Sequence, residues 1–167
     1  SVFDEASRGQ INLGLVPIEN SAMGGIGETL DCFLNSSARV FAEVLVTVHH
    51  NILADTPLDQ IKRVYSKPEV FSQCRRWLGR NMPAVERVPV ASSSKAAQIA
   101  AGEPGSAAVG SALAGEIYQL KTQASNIEDN PNNVTRFFVI STQQALASGD
   151  DKTAVVFTAA ILLTLLV

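Results

Sequence analysis

The sequence predicts an α/β layer fold, and three observations carry that prediction. Apolar runs of strand length alternate with stretches of helical spacing, no Ser/Gly-rich linker divides them, and a strand, hydroxyl turn, helix pattern occurs three times in succession. With 167 residues, 46% hydrophobic and 17% charged, the chain is long and apolar enough to bury a real core.

The opening stretch, SVFDEASRG, has helical character. Leu13 to Ile18 is a short apolar strand ended by Pro17, and the loop from Glu19 to Gly25 leads to a helix around Glu28 to Asn35. Val40 to Val48 is a long β-rich run that closes on His49 and His50. Arg63 to Tyr65 forms a brief strand, Ser66 and Pro68 mark a helix start, and Glu69 to Leu78 has helical spacing through Val70, Phe71, Cys74 and Leu78. The unit then repeats. Val85 to Val90 is a strand before the Ser92-Ser93-Ser94 turn and a helix over Lys95 to Ala101. Ala107 to Gly110 is a strand before Ser111 and a helix over Ala112 to Tyr118. In open α/β sheets ligands bind beyond the carboxyl ends of strands, where helix N-termini offer amides to anions. Ser66, Ser92, Ser93 and Ser111 fall at such places, although capping alone accounts for any single one of them.

Composition excludes several classes. Net charge is -3 and no basic cluster is longer than Arg75-Arg76, so neither nucleic acid nor an anionic membrane surface is an expected partner. Cys32 and Cys74 stand far apart and outside any metal-ligand spacing, which argues against a disulfide scaffold and a zinc site and for a reducing cytoplasm. Both are expected to be inert small hydrophobes. The apolar stretch Ala154 to Val167 is shorter than the about 20 residues of a spanning helix.

Polar residues gather at two places. Glu19-Asn20-Ser21 sets a carboxylate, an amide and a hydroxyl just past a strand end, with glycines following that allow close backbone approach. Thr135-Arg136 stands at the head of the apolar run Phe137 to Ile140, after the amides Asn132 and Asn133. Gln73 could face a cleft. For His49 and His50 no carboxylate partner is visible in the sequence, so a structural role is expected.

In order along the chain, Pro17-Ile18-Glu19-Asn20-Ser21, Tyr65-Ser66-Lys67-Pro68-Glu69 with Gln73-Cys74, Ala91-Ser92-Ser93, Ala107 to Ser111 leading to Tyr118, and Thr135-Arg136-Phe137 resemble the motifs of prephenate dehydratases. The resemblance runs from about Val2 to Ser141. It implies a two-lobed α/β fold similar to type II periplasmic binding proteins, with the active site in the cleft between the lobes. Residues 1–142 would form the catalytic domain, lobe one from about 1–45 and 122–142 and lobe two from about 46–121, with Asn126 to Asn133 as the returning crossover. Residues 143–167 would be a linker and the start or remnant of an ACT regulatory domain, Asp151 to Phe157 resembling its first strand.

The reaction implied is loss of carbon dioxide and water from prephenate, giving phenylpyruvate on the way to phenylalanine. It needs no metal or redox cofactor, because aromatisation drives the fragmentation once the ring hydroxyl can leave. The resemblance gives Thr135 the role of donor to the leaving hydroxyl, with Arg136 and Phe137 fixing its position. It places Asn20, Ser21, Ser66, Gln73, Ser92 and Ser93 along the substrate cleft, with Glu19 a further substrate-binding candidate whose alternative role is to orient the loop. It implies a cytoplasmic homodimer or homotetramer, with phenylalanine as allosteric inhibitor through an ACT domain incomplete here. Arogenate dehydratase, acting on the amino analogue, and a non-catalytic small-molecule binding module are the alternatives. Three departures from the family pattern stand out. Lys67 replaces the usual His, Ser93 replaces the usual Thr, and the N-terminal strand with its Gly-rich loop is expected but not found.

Overall fold

The computed structural model describes residues 1–155. The chain divides into two units, Ser1–Val46 with the segment from Thr135 onward, and Thr47–Val134. Mixed α/β character with two sheets is therefore as the sequence predicts. One boundary is corrected: the chain re-enters the first unit at Thr135, not at about residue 122, because residues 121–124 form a strand that pairs in the sheet of the second unit.

In the first unit, α1 (Val2–Ser7) is capped by Ser1, whose hydroxyl accepts from the Asp4 amide while the Asp4 carboxylate reaches back. It is followed by β1 (Gly14–Asn20), the two-residue β2 (Gly24–Gly25), α2 (Gly27–Leu34), β3 (Arg39–Thr47) and, after the second unit, a closing strand over Val134–Ser141. The sheet order places that closing strand between β1 and β3, with β2 at the β1 edge. Its core joins Val16, Ile18, Phe138 and Ile140 of the sheet to Phe3 and Ala6 of α1, with Leu30 and Phe33 of α2 packed against them. Phe33 meets both Phe3 and Phe138 edge to face, at centroid distances of 4.9 and 6.3 Å. Gly14 is required by close approach, since a Cβ there would lie 2.5 Å from Val2 Cγ1.

The second unit contains β4 (Asn51–Ala54), β5 (Arg63–Ser66), α3 (Pro68–Gln73), α4 (Arg75–Asn81), β6 (Glu86–Pro89), α5 (Ser93–Gly102), β7 (Ser106–Gly110), α6 (Ala112–Tyr118) and β8 (Lys121–Ala124); the strand of Val134–Ser141 is β9. Sheet order is β6-β5-β7-β4-β8, with β5 parallel to β6 and β7, and β4 antiparallel to β7 and β8. The central strands β4, β5 and β7 are buried on both faces, while the edge strands β6 and β8 are largely exposed. Alternation assigns Ile52, Ala54, Val64, Ala107 and Val109 to one core with Val70, Cys74 and Leu78 of α3 and α4. Leu53, Tyr65 and Ala108 face the other, with Ala96, Ala97 and Ala100 of α5.

Four local expectations are corrected. Ser66 is the last residue of β5 and caps nothing; Lys67 holds the N-cap position of α3 without a side-chain bond. The helix expected over Glu69 to Leu78 breaks at Cys74, because the Asp129 carboxylate accepts from the Arg76 and Trp77 amides and its own amide donates to the Gln73 carbonyl at 2.7 Å. A remote carboxylate thus starts a second helix where no local cap exists. His49 and His50 lie between β3 and β4, outside any strand. The strand expected from Asp151 is absent over 151–155, which carry no regular structure, and its residues from 156, like the apolar tail 159–167, lie outside the described residues. No helix among the described residues is long and apolar enough to cross a membrane.

Candidate functional site

In the first unit, β1 and β9 run antiparallel with Asn20 opposite Thr135, Glu19 opposite Arg136 and Pro17 opposite Phe137. A bulge between Pro17 and Glu19 shifts the register, so that Ile18 stays in the core while Asn20 still faces Thr135. Side chains alternate along β9, which turns Thr135 and Phe137 to one face and Arg136 and Phe138 to the other. Each polar group named from the sequence is therefore split by the sheet, with Asn20 and Thr135 paired on one face and Glu19 and Arg136 on the other.

On the first face, Asn20 Nδ2 donates to Thr135 Oγ1 at 2.8 Å. Asn20 Oδ1 accepts from the amides of Ala22 and Met23 at 2.9 and 3.2 Å, an Asx turn that fixes the orientation of its side-chain amide. Because Nδ2 can only donate, it occupies a lone pair on Thr135 and leaves the Thr135 proton available to a further acceptor. Both side chains are half-buried, and Ser21 is exposed in the turn that follows.

On the other face, Arg136 Nη2 donates to Glu43 Oε2 at 2.9 Å and Nη1 lies 3.8 Å from Glu19 Oε2. The guanidinium sits 5.2 Å over the Phe138 ring. The Arg136 bond, working against burial, holds the Glu43 carboxyl below its ordinary range. Arg136 thus links β9 to β3 through Glu43, with the more exposed Glu19 of β1 as its longer-range partner. A cavity of ≈ 1060 Å³ adjoins Arg136, Glu43, Phe33 and Phe138, and contains neither Thr135 nor Asn20. It lies on the Arg136 side of the sheet, apart from the Asn20–Thr135 pair.

In the second unit, Ser66 is fully buried and its hydroxyl donates to the Val109 carbonyl at 3.0 Å, tying β5 to β7. Ser92 caps α5, accepting from the Lys95 amide at 3.0 Å, and Ser93 is half-buried in the first turn. Ser111 caps α6 in the same way. Gln73 Oε1 lies 2.7 Å from His50 Nε2 and 3.4 Å from Asn133 Nδ2.

The histidine pair has the carboxylate that sequence reasoning could not find. Glu128 Oε1 lies 2.7 Å from His49 Nδ1, and Oε2 accepts from the His50 amide at 2.9 Å. The two residues are 79 and 78 positions away, and only the acidic Glu128-Asp129 pair in an otherwise polar crossover hints at them. Burial pushes the Cys74 thiol up to about 12, with the carboxylates of Glu128 and Asp129 adding to the effect. Cys74 is accordingly inert, as expected. Iodoacetamide at pH 8 should label the half-buried Cys32 and spare Cys74 until denaturant is added; equal labelling of both in the folded protein would contradict this burial.

A model of the family "Prephenate dehydratase" matches residues 1–145. The chain is 41% identical over 157 residues to the bifunctional chorismate mutase/prephenate dehydratase of Pseudomonas aeruginosa, covering 93% of this chain and 43% of that protein. Among solved structures, the prephenate dehydratase of Arthrobacter aurescens in complex with L-Phe superposes with a TM-score of 0.76 at 30% identity, over 90% of this chain and 50% of that one. The prephenate dehydratase of Staphylococcus aureus gives the same TM-score at 27% identity, over 89% and 55%. The chain spans about half the length of the curated relatives it matches.

Proposed function

The chain belongs to the prephenate dehydratase family, and from that premise we propose that the protein converts prephenate to phenylpyruvate in the biosynthesis of phenylalanine. The observation that carries the reading is the 2.8 Å bond from Asn20 Nδ2 to Thr135 Oγ1. In the reaction the bond from the ring to the carboxylate breaks and its electron pair enters the ring, the ring C–O bond breaks, and the departing hydroxide takes a proton to leave as water. Thr135, with a lone pair held by Asn20, offers its O–H to that oxygen as charge develops on it. A threonine hydroxyl is a weak acid, so aromatisation supplies most of the driving force.

Ser21, Gln73, Ser92 and Ser93 bind substrate in this reading, while Ser66, whose one hydroxyl proton goes to the Val109 carbonyl, holds the end of β5 in place. Serine hydroxyls and a glutamine amide can hold a dianion's carboxylates without a large cationic cluster. Arg136 acts through β9, bracing the strand that carries Thr135 against Glu43 and Glu19, and Phe137 stiffens the same strand. We place the enzyme in the cytoplasm as a homodimer or homotetramer, with phenylalanine as feedback inhibitor through an ACT domain. The test is to incubate the full-length protein with prephenate and, separately, with arogenate. Phenylpyruvate from prephenate is the expected result. Phenylalanine formed from arogenate alone would move the assignment to arogenate dehydration, and binding without product from either would make the protein a sensor.

A further inference from the structure

Gln73 ends α3, where its backbone carbonyl accepts from the Asp129 amide and the helix breaks at Cys74. A glutamine in that place has three free side-chain torsions, and ordering them on ligand binding costs affinity. His50 is well placed to remove that cost in advance. It is 6% exposed, its amide donates to Glu128 Oε2 at 2.9 Å, its carbonyl accepts from the Ile127 amide at 2.8 Å, and its ring nitrogen Nε2 lies 2.7 Å from Gln73 Oε1. The next residue, His49, is tied to the other oxygen of the same Glu128, whose side chain is 2% exposed. All of these residues belong to the second unit.

We infer that His50 is a positioning residue for the reaction: it orients the Gln73 side-chain amide so that Nε2 is presented to a substrate carboxylate. The inference rests on the reading of Gln73 as a substrate-binding residue. An amide oxygen carries no proton, so the bond requires the proton on His50 Nε2. Asn133 Nδ2, at 3.4 Å from the same oxygen, supports the same orientation. With Oε1 occupied by these donors, the two N–H bonds of Nε2 are turned away from His50 and toward whatever Gln73 serves. Glu128, by holding the backbone of His50 and the ring of His49, sets the place from which this bond is made.

The test is a double-mutant cycle on the full-length protein with prephenate, with melting curves showing that each variant is folded. His50→Asn puts its amide nitrogen too short to reach Gln73, whereas His50→Gln can place a donor near the original Nε2. The expected results are a KM raised roughly fivefold in His50→Asn with kcat nearly unchanged, as one unordered side chain implies, and a return toward the parent KM in His50→Gln. Gln73→Ala should raise KM at least as much, and His50→Asn should add nothing to it. Effects of the two substitutions that multiply would overturn the positioning role while leaving Gln73 as a binding residue. A KM unchanged in Gln73→Ala would overturn the binding role, and the inference with it. If His50→Asn does not fold, His50→Leu against His50→Gln reads the same comparison.

Discussion

Thr135→Ala is expected to lower kcat for prephenate about a hundredfold or more, the scale of a lost donor at a developing negative charge. Stability should fall by only about 1 kcal/mol, since the substitution removes one half-buried hydrogen bond and leaves the β1–β9 ladder intact. Thr135→Ser retains the hydroxyl but loses the β-branch that restricts its rotamers, so it should recover part of the rate. Steady-state kinetics with circular dichroism on the same samples separates loss of chemistry from loss of fold. A folded Thr135→Ala with undiminished kcat would remove this hydroxyl from the reaction.

The largest stability effect away from the apolar cores is expected at Glu128. Burial raises the tendency of its carboxyl to hold a proton, but the bonds from His49, from the His50 amide and from its own amide, together with the attraction of His49, outweigh it and bring the carboxyl below its ordinary value of 4.5. The native state therefore binds this proton less readily than the unfolded chain does. The resulting stability is fully present above the ordinary value and is lost as pH falls from there through the lowered one. Glu128→Gln keeps the shape and removes the charge, so at pH 7 it should cost about 2 kcal/mol, the scale of charge-assisted bonds to a buried group. The gap between the two proteins should narrow as the medium is acidified below 4.5, because the parent then loses the same contribution. Urea unfolding at pH 7 and at about pH 3 measures both quantities. A gap that widens in acid would show that the shift has the opposite sign.

Local periodicity carried much of this fold. The small-residue segment Ala107 to Gly110 and the helix over Ala112 to Tyr118 lie where the sequence places them, because Pro104-Gly105 turns the chain just before the strand and Ser111 caps the helix. The four-residue β4, fully buried between β7 and β8, escaped notice because Ile52-Leu53-Ala54 is too short to show a period. The break at Cys74 was equally invisible, since it depends on Asp129 across more than 50 positions of chain. The same holds at the sites. Asn20 and Thr135 were recognisable by motif and order, but only the register of β1 on β9 makes them partners, and only strand alternation turns Arg136 to the opposite face. Glu128 escaped because acidic residues in a polar crossover resemble solvated charge; what distinguishes it is a burial that no local pattern records.

The central claim is that Asn20 holds a lone pair of Thr135 so that the threonine proton is free to be donated, and kcat of Asn20→Asp with prephenate tests it most directly. A carboxylate can keep both turn bonds to the Ala22 and Met23 amides, yet it replaces the Nδ2 donor by an acceptor that draws the Thr135 proton to itself. The account predicts a folded protein whose kcat falls to the level of Thr135→Ala, with no further loss when the two substitutions are combined. A folded Asn20→Asp with the parent kcat would contradict it.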